Sequence, residues 1–319
     1  MHEFQLINKY FLHLSNNNKS SLSLNDDVFF DKSKKLVISV DTYIEGKHFI
    51  NFKKPDLVIK KIIRSSISDI ICKGVKPKYY FISGSGNKKT FSSSNLKKIS
   101  KSLKQEQNKY NIILCGGDTV YSNKLSFTVT SVGFSQKIIP RNNAKLNDDI
   151  YVTGNLGDSF AGLNILTNKI YVNNSLRKYF TYRYYLPNLN LKLTNKLLHI
   201  ANTSIDISDG LIADLEKLIN KQKVSYILNL NHVPISQNLK KLLIQNKLNK
   251  ISYISKGDDY QILFTANSSK SRIINKIAKS LGIKISKIGK ICSNQQKSQI
   301  IDEKGKKIAV KTKGYSHRF

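Results

Sequence analysis

The sequence predicts a two-domain protein built from alternating helices and strands. Its 319 residues exceed the usual size of one compact domain. Hydrophobic residues form 40% of the chain and charged residues 23%, which is typical of a globular protein and excludes a disordered one. A Pro-Arg-Asn-Asn stretch at 140–143 interrupts the alternation. We therefore predict a domain boundary near Pro140, between residues 1–140 and 141–319.

The first half contains strand and helix patterns in turn. Two β-branched runs, at residues 34–40 and 111–115, predict buried strands that each lead into an acidic turn. Apolar residues at helical spacing predict helices at 57–73 and 95–110, and the alternating run 125–134 predicts a further strand.

The second half continues the alternation. Strands are predicted at residues 149–153, 204–207, 225–230 and 260–265, and helices at 159–166, 189–200, 211–219, 239–243 and 271–281.

The charge balance is strongly basic, with 53 Lys and Arg against 21 Asp and Glu, a formal net charge of +32. Such a charge ordinarily indicates a nucleic-acid partner. However, only six of the basic residues are Arg, the residue suited to planar recognition of phosphates and bases. Abundant Lys, Asn and Ile instead indicate a coding sequence rich in A and T. We expect no specific nucleic-acid partner, although a basic, non-catalytic nucleic-acid binder stays open as an alternative.

Cysteine usage and the N-terminal segment bear on the compartment. The three cysteines form no CxxC pair, so the sequence supports neither a disulfide framework nor a zinc knuckle. The first 15 residues have the pattern of a short amphipathic helix without a small-residue cleavage site. No run of 18 apolar residues predicts a membrane span. We expect a cytoplasmic protein with no membrane partner.

The scarce acids are concentrated in short clusters near predicted strand ends, turns and one helix. They are Asp26, Asp27, Asp41, Asp69, Asp118, Asp206, Asp209, Asp258 and Asp259. Short carboxylates are ligands that suit Mg²⁺, and no histidine cluster offers the ligands that zinc prefers. The sequence therefore predicts a magnesium site built from aspartates.

Several of these motifs have a second interpretation, because Asp at a strand end also forms turns and caps helices. Asp209, for example, precedes a predicted helix that it would cap. The Gly-rich turn at 154–158 lacks both the Walker lysine and the GxGxxG spacing, and we interpret it as structural. His48 is either a structural hydrogen-bonding residue or part of a site.

The order of the motifs resembles that of the thiamine-monophosphate kinase family, within the aminoimidazole-ribonucleotide-synthetase-like (PurM-like) superfamily. The motifs are Asn25-Asp26-Asp27, Ser39-Val40-Asp41-Thr42, Glu45-Gly46-Lys47-His48-Phe49, Ser68-Asp69, Gly116-Gly117-Asp118-Thr119, Arg141, Tyr151-Val152-Thr153-Gly154, Asp206-Ile207-Ser208-Asp209-Gly210, Gly257-Asp258-Asp259-Tyr260 and Gly314-Tyr315-Ser316-His317. They extend from about Asp26 to the C-terminus.

This resemblance implies a fold, a reaction and partners. The N-terminal α/β domain would form the sheet of a homodimer, and the C-terminal α+β domain would complete the site. The enzyme would bind ATP and several Mg²⁺ ions and convert thiamine phosphate to thiamine diphosphate. In-line transfer between two anionic phosphates requires charge neutralisation above all.

The resemblance also implies a role for individual residues. Metal ligands would be Asp27, Ser39, Val40 through its carbonyl, Asp41, Asp69, Asp118, Asp206 and Asp209, with Asp41, Asp118 and Asp209 as the catalytic set. ATP contacts would be Gly117, Asp118, Arg141 and Ser208. The thiamine phosphate pocket would contain His48, Asp258 and Tyr315.

Three positions depart from the family pattern. Asn25 follows Ser23-Leu24 where the family has glycines, Val40 stands in place of a Thr, and Asp258 stands in place of a Glu. A sister enzyme that uses ATP and Mg²⁺ on another acceptor, such as formylglycinamidine ribonucleotide or selenide, is the nearest alternative. The first cysteine is Cys72 and the chain ends at Phe319, which disfavours the selenide and hydrogenase-maturation relatives.

Overall fold

The computed structural model describes residues 3–310 and 312–315, which form two sheets with helices packed around them. The first half contains α1 (Glu3–Leu6), β1 (Phe29–Asp31), β2 (Leu36–Ile44), α2 (Pro55–Cys72), β3 (Pro77–Gly86), α3 (Ser93–Tyr110), β4 (Ile113–Gly116), β5 (Thr119–Tyr121) and β6 (Ser126–Phe134). The second half contains β7 (Asp149–Thr153), α4 (Asp158–Leu166), α5 (Asn174–Tyr185), α6 (Thr194–Ile200), β8 (Thr203–Asp206), α7 (Leu211–Leu218), β9 (Val224–Asn229), α8 (Gln237–Gln245), α9 (Lys250–Ile254), β10 (Ile262–Ala266), α10 (Ser271–Leu281), β11 (Ile285–Ser293) and β12 (Gln299–Ile301).

The first sheet has the strand order β1-β2-β6-β3-β4, and β5 also pairs with β3. Strands β1, β2, β6 and β3 are antiparallel neighbours, whereas β4 and β5 run parallel to β3. In this register Asp41 lies opposite Val129 of β6, which in turn lies opposite Ile82 of β3.

The second sheet has the order β12-β9-β11-β7-β10-β8 and is antiparallel except for the β12–β9 pair. The two sheets with their helices confirm the predicted mixed fold, an α/β half followed by an α+β half. The strands of the first sheet end at Phe134 and those of the second begin at Asp149. The domain boundary near Pro140 stays a prediction.

Helix α2 lies between the two halves, because it contacts β2, β3, β6 and α3 on one side and β8 and α5 on the other. It is therefore buried on most of its faces, including polar positions such as Lys61 and Ser68. The guanidinium of Arg64 donates to both carboxylate oxygens of Glu106 on α3, at 2.8 and 2.9 Å. This buried, bidentate pair fixes α2 against α3 and so holds the polar residues of α2 in place.

Most predicted elements are confirmed to within a few residues, and the exceptions have physical reasons. Strand β2 extends to Ile44, so Asp41 lies inside the strand rather than at its end. The run at 113–116 is a strand, but it is exposed rather than buried, because it lies at the edge of the sheet. Strand β3 was not predicted, since its Ser-Gly-Ser-Gly end has the composition of a turn.

Two helical predictions are shortened. The N-terminal segment is α-helical only over Glu3–Leu6 and continues in irregular helical turns to Ser15. The helix predicted at 189–200 becomes α-helical at Thr194, after a 3₁₀ turn at Leu191–Leu193. Within the described part of the chain, every helix is too short or too polar to cross a lipid bilayer.

Candidate active site

A cleft of about 580 Å³ lies between the two halves of the chain, where β2 and α2 face the loops that follow β8 and α9. It brings together most of the residues that the sequence analysis selected. Those in its lining are Asp27, Val40, Asp41, His48, Asp69, Arg141, Asp206, Ser208, Asp209, Asp258 and Tyr315. Ser39, Gly117 and Asp118 do not line it, and each has a different position described below.

Three of the acids form a cluster that we call the acidic trio: Asp41 on β2, Asp69 on α2 and Asp206 at the end of β8. Each accepts a hydrogen bond from a neighbouring hydroxyl group. The donors are Tyr43 to Asp41 at 3.1 Å, Ser39 to Asp69 at 2.5 Å, and Ser68 to Asp206. Ser39 thus lies behind Asp69 rather than in the cleft lining. Among the described residues, none of the ion pairs with Lys or Arg involves a member of the acidic trio.

Burial makes ionisation of the acidic trio unfavourable, and the charge of Lys73 offsets this only in part for Asp69 and Asp206. Burial raises the pKa of Asp41 from 3.8 to about 6. The pKa of Asp206 rises to about 7 because of burial and the nearby charges of Asp214 and Asp41. Burial and the charges of both trio partners raise the pKa of Asp69 well above its usual range. A bound divalent cation would relieve this repulsion, so the trio fits an oxygen-ligand metal site.

Among the described residues, the group whose possible ligand atoms all lie within 4.8 Å of one another is Asp27, Cys72 and Asp206, which shares only Asp206 with the acidic trio. Cys72 is a poor member of such a site, because burial raises the pKa of its thiol well above the ordinary value. Its Sγ donates to the carbonyl of Asp69 instead. Mg²⁺ prefers oxygen ligands, which leaves the carboxylates as the candidates.

The other acids around the cleft are paired with cations. Lys217 bridges Asp209 and Asp214, and its ammonium lies 3.2 Å from Asp214 Oδ1. Asp214 also accepts from the backbone N–H groups of Asp209 and Gly210, at 2.9 and 3.0 Å. The N-cap residue of α7 is Gly210 and no side chain caps the helix, so Asp209 does not cap it and lines the cleft instead. Asp26 and Asp27 are paired with Lys73 and Arg141.

The loop after α9 presents Asp258 to the cleft in a strained conformation. Asp258 and Tyr260 have positive φ angles of 66° and 51°. Gly257 has a φ of 72°, and a Cβ there would lie 2.1 Å from the carbonyl oxygen of Ser208. Hydrogen bonds from the backbone N–H of Asp258 to Ser208 and of Tyr260 to Ile207, both 2.8 Å, hold this shape. Strain of this kind concentrates at functional sites.

Lys61 on α2 fixes the carboxylate of Asp258 from below. Its ammonium lies 2.5 Å from Asp258 Oδ2 and donates to the carbonyl of Tyr184 at 3.0 Å. The side chain of Lys61 is 3% exposed and that of Asp258 is 26% exposed, so only the acid faces the cleft. Burial lowers the pKa of Lys61, and the carboxylate of Asp258 opposes that effect.

His48 and Tyr315 contribute at the rim of the cleft. The backbone N–H of Ile44 donates to His48 Nδ1 at 3.0 Å, and the imidazole packs edge-on against Tyr43 at 5.9 Å between ring centroids. His48 is thus both a structural hydrogen-bonding residue and part of the lining. Tyr315 is anchored by its backbone N–H to the carbonyl of Asp209 at 3.0 Å. The last motif continues at residues 316–317, which lie outside the described residues.

Gly117 and Asp118 lie apart from the cleft, on the exposed edge of the first sheet. A Cβ at Gly117 would lie 1.8 Å from the carbonyl oxygen of Ile82, so only glycine fits this close approach. Asp118 Oδ1 accepts from the backbone N–H of Thr119 at 2.8 Å. Three strand spacings separate Asp118 from Asp41 across the sheet, a distance of about 14 Å. One chain alone does not bring Asp118 to the acidic trio.

Sequence reasoning missed the buried lysines Lys61 and Lys73 and the half-buried Lys217. In a chain with 47 lysines, their residue type carries no information. The available signal was position, because Lys61 interrupts the apolar pattern of α2 and Lys73 directly follows it.

Comparison with known proteins gives a consistent result. Residues 25–135 match the family model described as AIR synthase related protein, N-terminal domain. The thiamine-monophosphate kinase of Buchnera aphidicola subsp. Acyrthosiphon pisum is 35% identical over 99% of this chain and 98% of its own length. That of Haemophilus influenzae is 32% identical over 91% of this chain and 89% of its own length. AaThiL, solved as a complex with AMPPCP and TMP, superposes with a TM-score of 0.85 at 27% identity, covering 99% of this chain and 97% of the other.

Proposed function

The chain belongs to the thiamine-monophosphate kinase family, and we propose that its cleft transfers the terminal phosphoryl group of ATP directly to thiamine phosphate, forming thiamine diphosphate. The observation that carries this proposal is the acidic trio: one buried and two half-buried carboxylates that line the cleft, none of them in an ion pair with a lysine or arginine among the described residues. The structural relative was solved with AMPPCP and TMP, an ATP analogue and thiamine monophosphate, which supports the same pair of substrates here.

Charge is the main obstacle to this reaction, because both substrates carry phosphate groups that repel one another. Magnesium, held by the acidic trio together with Asp209, would neutralise the phosphates and the charge of the transition state. The carboxylates and their hydroxyl donors would keep this site rigid, since Ser39 and Ser68 are buried and each fixes one oxygen of a trio acid. Ser208, at the cleft wall, would contact ATP.

Arg141 would neutralise phosphate charge from the opposite wall, where its guanidinium already pairs with Asp27. The attacking oxygen of thiamine phosphate is ionised near neutral pH, so the reaction requires no general base. His48 would then serve as a wall of the acceptor pocket.

The acceptor end of the cleft would be formed by His48, Asp258 and Tyr315. Thiamine phosphate has a positively charged thiazolium ring and an aminopyrimidine, and a carboxylate complements both. Asp258 is one methylene shorter than the Glu of the family pattern, and Lys61 fixes its direction. We propose that holding the Asp258 carboxylate in one position compensates for its shorter side chain.

We also propose that the protein is a homodimer formed through the outer face of the first sheet. Large apolar side chains are exposed on this face: Val40, Ile44, Phe81, Ile113, Val120 and Phe134. Asp41 and Lys78 are the only charged residues within strands β2 to β6, although the chain carries 53 basic residues. A contiguous apolar face of this kind is typical of a protein interface.

The position of Asp118 supports the same proposal. Asp118 lies on the edge of this apolar face. Three strand spacings, about 14 Å, separate it from Asp41 of its own chain. A second copy packed on the face would allow Asp118 and Gly117 of one chain to serve the cleft of the other. The predicted roles of both residues then require the dimer.

Mixing two inactive variants tests this arrangement. If each site combines Asp41 of one chain with Asp118 of the other, hybrid dimers of Asp41→Asn and Asp118→Asn contain one intact site. Co-refolded mixtures should then recover up to about a quarter of wild-type activity by statistical pairing. Activity that stays at the level of the separate variants would contradict a shared site.

The activity itself is tested by incubating purified protein with ATP and Mg²⁺, with and without thiamine phosphate, and separating the products. Thiamine diphosphate and ADP in equal amounts, abolished by EDTA, are expected. ADP formed only with another acceptor would favour a sister enzyme of the superfamily. The cytoplasmic location expected from the sequence stays a prediction.

A further inference from the structure

Lys73 occupies an unusual position directly behind the cleft. It caps the C-terminal end of α2, and its side chain is 0% exposed. Its ammonium lies 2.7 Å from Asp26 Oδ1, 2.7 Å from Asp27 Oδ2 and 2.8 Å from the carbonyl oxygen of Ser204. These three acceptors match the three N–H donors of an ammonium group, so the buried charge is fully satisfied.

The carboxylates of Asp26 and Asp27 are occupied on all four oxygens. The guanidinium of Arg141 pairs with both oxygens of Asp27. The backbone N–H of Arg141 donates to Asp26 Oδ2 at 2.8 Å, and that of Asp27 donates to Asp26 Oδ1 at 2.8 Å. Two negative side chains are thus balanced by two positive ones, Lys73 and Arg141.

The acidic trio differs in kind, because its members contact hydroxyl groups and no protein cation pairs with them among the described residues. The cleft acids therefore fall into two groups. Asp26 and Asp27 belong to the acids that form ion pairs with a lysine or arginine of the chain. The trio acids form no such pair, and although the charge of Lys73 acts on Asp69 and Asp206, their pKa values stay raised.

We propose that Lys73 is a built-in cation that replaces a metal ion between Asp26 and Asp27, so that Asp27 binds no divalent cation in this protein. A metal ion that entered this position would have to displace a buried ammonium from all three of its acceptors, which is strongly unfavourable. Divalent cations are then confined to the side of the cleft formed by the acidic trio and by Asp209, whose partner Lys217 is 21% exposed and so is displaced more easily than the fully buried Lys73. This inference rests on the proposed magnesium-dependent function and assigns Asp27 a different role from the one that the family resemblance implies.

The binding of Mn²⁺, followed by its electron paramagnetic resonance signal without nucleotide or acceptor, tests the inference on folded protein. Asp27→Asn should leave the number and affinity of bound Mn²⁺ ions unchanged. Asp69→Asn should lose an ion or weaken binding by about tenfold or more. Loss of an ion in Asp27→Asn would overturn the role of Lys73. Absence of Mn²⁺ binding by the wild type would instead overturn the proposed function.

A second test replaces Lys73 with a neutral residue, so that a metal ion can take the place of its ammonium group. In Lys73→Met the two carboxylates lose one of their cations, so Mg²⁺ should now enter between them. The rise in melting temperature on replacing EDTA with Mg²⁺ should exceed that of the wild type by about 4 °C or more. Lys76→Met, an exposed lysine of the same region, is the matched control for charge. An equal rise in all three proteins would contradict the inference.

Discussion

Asp206→Asn should stabilise the metal-free protein while abolishing its activity. The carboxylate of Asp206 is 2% exposed, and its pKa rises from 3.8 to about 7. One pKa unit corresponds to about 1.4 kcal/mol, so keeping this group ionised at pH 8 costs the folded state on the order of 4 kcal/mol. An asparagine oxygen still accepts the hydrogen bond from Ser68. After allowing about 1 kcal/mol for imperfect replacement of contacts, we expect the free energy of unfolding to rise by about 2 to 4 kcal/mol.

The sign of this effect depends on pH. Because the folded-state pKa of Asp206 is raised, the folded protein binds more protons than the unfolded chain between pH 4 and 7, and its stability falls across that interval as pH rises. The advantage of Asp206→Asn should therefore be large at pH 8 and small at pH 5. Saturating Mg²⁺ should also reduce it, since the wild type then gains binding energy that the variant lacks.

Urea unfolding in EDTA at the two pH values measures the effect. Asp56→Asn is the matched control, because it removes an acid from the first turn of α2, far along the helix from the trio. In a chain of net charge +32, loss of an acid there should be neutral or slightly destabilising. A less stable Asp206→Asn at pH 8 in EDTA would refute the view that the trio is an uncompensated metal site.

Three further outcomes are expected. Lys61→Met should raise the KM for thiamine phosphate by about tenfold and leave the KM for ATP unchanged, because the Asp258 carboxylate loses its fixed direction. Lys61→Arg should restore part of the loss. Equal changes in both KM values would contradict this role of Lys61. Mg²⁺ affinity should increase from pH 5.5 to 7.5 in calorimetric titrations, because the pKa values of Asp41 and Asp206, raised to about 6 and 7, make the metal compete with protons. An affinity that does not change with pH would contradict the trio acids as ligands. Val120→Asp, on the outer face of the first sheet, should convert the dimer to a monomer of low activity in light scattering and kinetic assays, whereas Tyr171→Asp, exposed in the other half, should change neither.

The sequence predicted the elements whose local pattern and tertiary role agree. Helix α2 and strand β6 have clear periodicities, and each is found within two residues of its predicted bounds. Strand β3 was missed, because its apolar half is joined to a Ser-Gly-Ser-Gly half that is ordered only by pairing with β5 and β6. Such long-range pairing has no local signature.

The candidate site, too, was predictable from the sequence only in part. The aspartates were selected by their place in motifs, and the structure brings most of them to one cleft. Their electrostatic state was not predictable, because it depends on which lysine lies beside which acid. Lys73 forms an ion pair with Asp27, whereas its charge acts on Asp69 only in part and the pKa of Asp69 stays raised. Likewise, the separation of Asp118 from Asp41 follows from strand order, which the sequence does not encode locally.

The most direct test of the central claim follows the terminal phosphate of ATP. The protein is incubated with γ-labelled ATP, Mg²⁺ and thiamine phosphate, and the products are separated. We expect thiamine diphosphate labelled in its terminal phosphate, one ADP per product, and no product when EDTA is present or Asp41 is changed to Asn. Label released as inorganic phosphate without thiamine diphosphate, or the formation of AMP, would contradict direct transfer between the two substrates in this cleft.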